Sequence, residues 1–196
     1  MPLVTRSILS PIIAAIAASN AVADWRWERL DKPSPPSMYG HSMVYDSLRD
    51  RLVVYGGATY YTESQGTHRH PFLWEWDGEI WHLIRSSVLP EDVTFGAMAF
   101  DSRRSVTVHF GGISSSELNS TFEWDGATWT EVQTRSRPPH RHSHSMVYDD
   151  GRGVTVVFGG AEGYSPYGDT WEYDGSAWRL VSTSGPPPRY AAAMTY

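Results

Sequence analysis

No cysteine occurs anywhere in the 196 residues. That absence removes disulfide staples, thiolate nucleophiles, zinc–thiolate knots and iron–sulfur ligation together. A basic surplus is missing as well. Sixteen Lys and Arg against 22 Asp and Glu leave a formal charge of −6, the wrong sign for a surface that tracks phosphates. No apolar run approaches the roughly 20 residues a bilayer span needs. The Gly-x-Ser-x-Gly elbow, the His-Glu-x-x-His zinc motif and a glycine-rich phosphate loop are all lacking. Leu and Lys are scarce beside Trp, Tyr, Gly and Pro, a balance that disfavours helices. What is present instead is 13% aromatic residues, 17 Gly and 13 Pro, enough to exclude low-complexity disorder and to favour aromatic strands joined by tight turns.

The first 23 residues read as an export leader. Arg6 supplies a short basic start, residues 8–18 an apolar stretch interrupted by Pro11, and Ala21-Val22-Ala23 a small-x-small cleavage pattern. A mature chain beginning at Asp24 would be secreted, to a periplasm or the outside, without a membrane span.

The remainder repeats. Met43-Val44-Tyr45-Asp46 returns as Met98-Ala99-Phe100-Asp101, as Met146-Val147-Tyr148-Asp149, and as Met194-Thr195-Tyr196. Each of the first three is followed by a β-branched run closed by a glycine pair: Gly56-Gly57, Gly111-Gly112 and Gly159-Gly160. A variable loop then leads to an aromatic strand and an Asp-Gly turn at Trp76-Asp77, Trp124-Asp125 and Tyr173-Asp174. Trp81, Trp129 and Trp178 open a last short strand. Each repeat therefore predicts four antiparallel strands, a to d, with Asp-Gly as a tight primed turn between c and d. A lone sheet of this kind cannot bury its aromatic faces, so such sheets stack around an axis. A period near 50 residues with four strands is the mark of a β-propeller.

The glycine pairs, the aromatic-Asp-Gly elements, the Trp that follows each, and Arg141-x-x-His144 before the third copy resemble Kelch repeats of the galactose-oxidase type. The likeness covers residues 24–196. The first two copies depart from it, with Met38 and Val93 at the Arg position and Gly96 at the second His. It implies an all-β, Kelch-type propeller: three four-stranded blades at about 37–84, 92–132 and 140–181. An orphan strand d at 25–30 and a strand a at 189–196 flank them, making an open arc and not a closed ring. On this reading the chain is incomplete, the remaining blades coming from a longer chain or a partner.

In such a propeller the b–c and d–a loops share one face, where binding specificity usually resides. The candidates there are Tyr60, Tyr61, His68, Arg69, His70, Glu162, Tyr164 and Tyr167 from the b–c loops, and His140, Arg141, His142, Arg189 and Tyr190 from the d–a loops. Tyr and Arg suit a peptide or a glycan. His140, His142 and His144 alternate, and imidazole suits zinc or copper. Residues two apart on a strand lie roughly 6–7 Å from one another, however, so no metal is assigned. Glu75, Glu123 and Glu172 recur at one position, as do Asp46, Asp101 and Asp149, which points to structural bonding and not to an acid–base pair. The expectation is a non-catalytic protein- or glycan-binding module without cofactor. The alternatives are the N-terminal part of a carbohydrate-active enzyme of the same fold, a sugar-acid mutarotase or an oxidase, and a structural element of a surface array. The family's copper radical needs a Tyr–Cys cross-link, which a chain without cysteine lacks.

Overall fold

A computed structural model describes residues 33–60, 67–86 and 90–196. The leader and the strand expected at 25–30 lie outside the described residues, as does Tyr61.

Three four-stranded antiparallel sheets follow one another along the chain. The first holds β1 (Ser42–Asp46) and β2 (Arg51–Tyr55). After a small hairpin of β3 (Ala58–Tyr60) and β4 (Thr67–Arg69), it is completed by β5 (Leu73–Trp76) and β6 (Trp81–Ile84), in the order β1-β2-β5-β6. The second runs β7 (Ala97–Asp101), β8 (Val106–Ile113), β9 (Glu117–Trp124) and β10 (Trp129–Val132). The third contains β11 (Ser145–Asp149) and β12 (Val154–Phe158), then the hairpin β13 (Ala161–Glu162) and β14 (Ser165–Pro166), then β15 (Thr170–Tyr173) and β16 (Trp178–Ser182). No helix occurs among the described residues. These are the blades of an open propeller arc.

The core lies between blades. Tyr55, Leu73 and Val53 of the first meet Met98, Trp124 and Trp129 of the second. Val108 and Phe110 of the second meet Val157, Trp171, Tyr173 and Trp178 of the third. In the second and third blades the tryptophan that opens strand d thus fills the seam with the blade before. Trp129 stands 5.1 Å from the Tyr55 ring and Trp178 4.9 Å from Phe110. Trp81, in the first blade, remains half-buried.

Within each blade one ionic unit recurs. Arg49 Nε donates to Asp46 at 2.6 Å and its Nη1 to Glu75 at 2.8 Å. Arg104 joins Asp101 and Glu123 in the same way, and Arg152 joins Asp149 and Glu172. The repeated carboxylates tie the a–b turn to strand c, and each turn passes through one left-handed residue, Asp50, Ser105 or Gly153.

Three expectations need correction. The c–d turns are not two-residue primed turns, because only their glycines have positive φ, 93° at Gly78. Trp76 pairs with Trp81, so four residues make the loop, and Asp77 Oδ1 accepts the N–H groups of Glu79 and Ile80 at 2.8 Å. Asp125 and Asp174 do the same, an Asx turn in which the carboxylate replaces a backbone acceptor. The variable loop expected after Gly111-Gly112 is mostly strand over residues 113–121. Here β8 and β9 continue past a register shift between Phe110 and Gly112 to a turn at Ser114–Ser116, since no long insertion separates them. Residues 189–196 form no ladder strand. No described strand pairs with them, and a strand needs a partner for its backbone groups. They nonetheless follow the course of an inner strand: Arg189 O accepts Gly160 N at 2.9 Å, and Ala192 O accepts the Ser145 hydroxyl at 2.5 Å.

Candidate functional site

The glycine pairs build the loop face. In each pair the second N–H donates to a carbonyl of the following linker: Gly57 to Val93 at 2.8 Å, Gly112 to Arg141 and Gly160 to Arg189 at 2.9 Å. The first glycine lies against the same carbonyl. A Cβ on Gly111 would meet Arg141 O at 2.7 Å, and one on Gly159 would collide with Arg189 O. Positive φ and close approach both exclude a side chain there.

Next to this joint, an inner chain of backbone bonds passes from blade to blade. Phe95 N donates to Gly40 O, Ser143 N to Phe95 O, and Ala191 N to Ser143 O, each at 2.7 Å. All four residues are left-handed, with φ between 53° and 66°. The linkers also bridge to the b–c hairpins, Tyr39 with Ala58, Thr94 with Ile113 and His142 with Ala161. The loop face is therefore a bonded scaffold that carries side chains outward.

Those side chains form a track of rings. Tyr39 and Phe95 are exposed and stand 6.0 Å apart, and Phe95 lies 6.5 Å from the His142 ring. Glu117 accepts Gly163 N–H at 2.6 Å and sits 3.7 Å from His142 Nε2. Tyr164 is 100% exposed and Tyr190 is exposed on the last linker. Of these residues, His142, Tyr164 and Tyr190 are among the sequence candidates, and Tyr39, Phe95 and Glu117 are not. Alignment of the linkers by repeat position is the signal that finds Tyr39 and Phe95. Tyr39, Thr94, His142 and Tyr190 occupy one position, and Gly40, Phe95, Ser143 and Ala191 the next.

Other candidates fall elsewhere. His68 is exposed on β4 and Arg69 is half-buried beside it, while His70 bonds Thr59 at 2.7 Å and stacks on Phe72. Tyr60 lies in β3, its side chain outside the described set. Glu162 is exposed and accepts the Tyr167 hydroxyl at 2.7 Å. His140 and Arg189 are exposed.

Arg141 is a correction. Its side chain is 0% exposed, so it offers nothing to a ligand. The guanidinium grips Asp169 with two bonds of 2.9 Å, donates to Gly159 O at 2.9 Å, and lies 4.3 Å over the Tyr167 ring. A fork-shaped donor matching a carboxylate this way locks the linker to strand c. Tyr167, half-buried under that cation, belongs to the same lock.

The alternating histidines also separate. His140 faces solvent, His142 the track, and His144 the seam, where its ring lies 5.5 Å from Phe110. Among the described residues no three His, Asp or Glu side chains are grouped closely enough to hold a metal ion.

The family model described as the KLHDC2/KLHL20/DRC7 Kelch-repeats domain matches residues 19–196. The chain belongs to the Kelch-repeat family. Glycine joints, seam tryptophans and the Arg141–Asp169 lock are how this Kelch chain assembles its blades, and such a domain suggests a protein-binding propeller module. No curated protein matches the sequence.

Proposed function

We propose that this Kelch segment is a non-catalytic binding module that takes a peptide segment of a partner protein on its loop face. One observation carries the reading. The rings of Tyr39, Phe95 and His142, and Tyr190 at the matching place of the last linker, stand exposed or half-exposed on a scaffold tied by backbone bonds, so the backbone that carries them is set before any ligand arrives. Aromatic anchors on a fixed backbone bind without the cost of ordering the loop that carries them. The repeated Glu and Asp side chains are engaged by arginines of their own blades, which favours recognition over acid–base chemistry. Tyr164 and Tyr190 would also stack on a sugar, so a glycan is the competing ligand. Export through the leader at 1–23 would place the module outside the cytoplasm, and N-terminal sequencing of the product from a secreting host tests that part.

Panning a random-peptide display library on the chain tests the binding reading. Recovered peptides are expected to lose about tenfold or more in affinity on the Phe95→Ser, Tyr190→Ser variant, the scale of losing buried aromatic anchors. Peptides indifferent to both substitutions, or binding confined to a glycan array, would overturn it.

A further inference from the structure

The three blades treat one internal position in three ways. In the third, Arg141 enters from the linker and binds Asp169 and Gly159 O under Tyr167. The backbone pairing of equivalent residues shows what the second blade has instead. Val93 replaces Arg141, since both carbonyls take the second glycine N–H. Leu118 replaces Tyr167, since their carbonyls accept Arg141 N and Arg189 N, and Ser120 therefore stands for Asp169. By the same register the first blade puts Met38 at the Arg141 position, Phe72 at the Asp169 position and His70, stacked on Phe72, at the Tyr167 position, with no ion pair.

In the second blade the arginine has gone and the space has not closed. A cavity of about 90 Å³ remains, lined by Val93, Gly111, Leu118 and Ser120, with Glu91 and Glu131 on its wall. That is room for several waters or one small planar cation. His109 also lines it, is 2% exposed, and has no hydrogen-bond partner for either ring nitrogen among the described residues. The third blade has Val157 at that position, and its own buried imidazole, His144, comes from the linker, where the second blade has Gly96. Burial keeps His109 neutral, so one of its nitrogens is an acceptor. The cavity thus has acceptors and no cation: the Ser120 hydroxyl stands where the third blade has the Asp169 carboxylate, and the His109 ring and the exposed Glu91 and Glu131 complete the polar part of the lining.

We propose that this cavity is a binding site for a monosubstituted guanidinium, the group of an arginine side chain, supplied from outside the chain. Its position between a d–a linker and a b–c hairpin puts it on the loop face, so its biological ligand rests on the peptide-binding reading, while its chemistry does not.

Methylguanidinium is the probe, with tetramethylammonium at equal concentration as the control for charge and ionic strength. The imidazole ¹⁵N resonances of His109 are followed in the whole chain. A saturable shift is expected with methylguanidinium and none with the control. Glu131→Gln, an exposed change that does not threaten folding, is expected to weaken binding about tenfold, the loss of one charge-assisted bond. Val93→Arg with Ser120→Asp rebuilds the internal pair and is expected to abolish the shift and raise Tm. No saturable shift, an equal shift with tetramethylammonium, or undiminished binding in the Glu131→Gln chain would overturn the site. An arginine-containing peptide forms the second arm. Peptide binding that fails while methylguanidinium binds keeps the cavity assignment and counts against the peptide-binding reading alone.

Discussion

Trp124 of the second blade donates its indole N–H to Glu75 of the first across 3.1 Å. Glu75 already holds Arg49, so one buried carboxylate fastens its own blade and its neighbour's. Tyr173 and Glu123 repeat the arrangement at the next seam, at 2.8 Å. Glu75→Ala leaves the buried indole without an acceptor and Arg49 with Asp46 alone, and is expected to cost about 2 kcal/mol, the scale of an unsatisfied buried donor plus a lost charged bond. Trp124→Phe removes one donor and some volume and should cost about 1–2 kcal/mol. Urea melts of both variants measure this.

The two seam histidines make stability pH-dependent. Burial lowers His109 to about 4; burial, then Arg141 and nearby histidines, lowers His144 to about 3. Their folded values lie below the ordinary 6.5, so their contribution is complete above about pH 6.5. It is lost as pH falls toward 4 and 3, because the unfolded chain takes up protons that the fold refuses. The slope is about 1.4 kcal/mol per pH unit for each histidine within that window. His109→Val, which copies Val157 of the third blade, is expected to flatten the slope between pH 6 and 4 by about half. Melting midpoints across that range, compared with those of the unsubstituted chain, read it out.

Glycine substitutions should separate close approach from backbone preference. Gly78 has φ 93°, and nothing lies within 4 Å of where a Cβ would sit, so Gly78→Ala adds only conformational strain, about 1 kcal/mol. Gly111→Ala adds a clash with Arg141 O at 2.7 Å, where backbone cannot yield, and should cost at least about 2–3 kcal/mol. Thermal unfolding of the pair gives the difference directly.

Arg141→Lys keeps the charge and loses the fork. A lysine ammonium cannot make the paired bonds to Asp169 and reach Gly159 O at once, so a loss of about 3 kcal/mol is expected. Amide hydrogen exchange should show the added opening confined to the third linker and the β13–β14 hairpin.

Repetition makes the blades readable from sequence. Glycine pairs, seam tryptophans and turn aspartates recur at fixed spacing because each does the same physical work in every blade. What repetition marks only weakly is environment. Arg141 follows Pro-Pro-His in a polar stretch and looks like a loop residue, yet the bonds that bury it come from Asp169, 28 positions on. Residues 113–121 are polar enough for a loop, and only the ladder with β8 shows them to be strand. Phe95 and Tyr39 escape notice by residue type because their importance lies in backbone position. The cavity beside His109 is visible only when unlike residues of two blades are superposed.

Gly40, Phe95, Ser143 and Ala191 share one hydrogen-bonded, left-handed backbone site, although they range from no side chain to a benzyl ring. Support there is indifferent to lettering. The side chains carried there can therefore be respelled, one blade at a time, without disturbing the backbone that frames them, and chains built this way can diverge in what they grip while keeping the same arc.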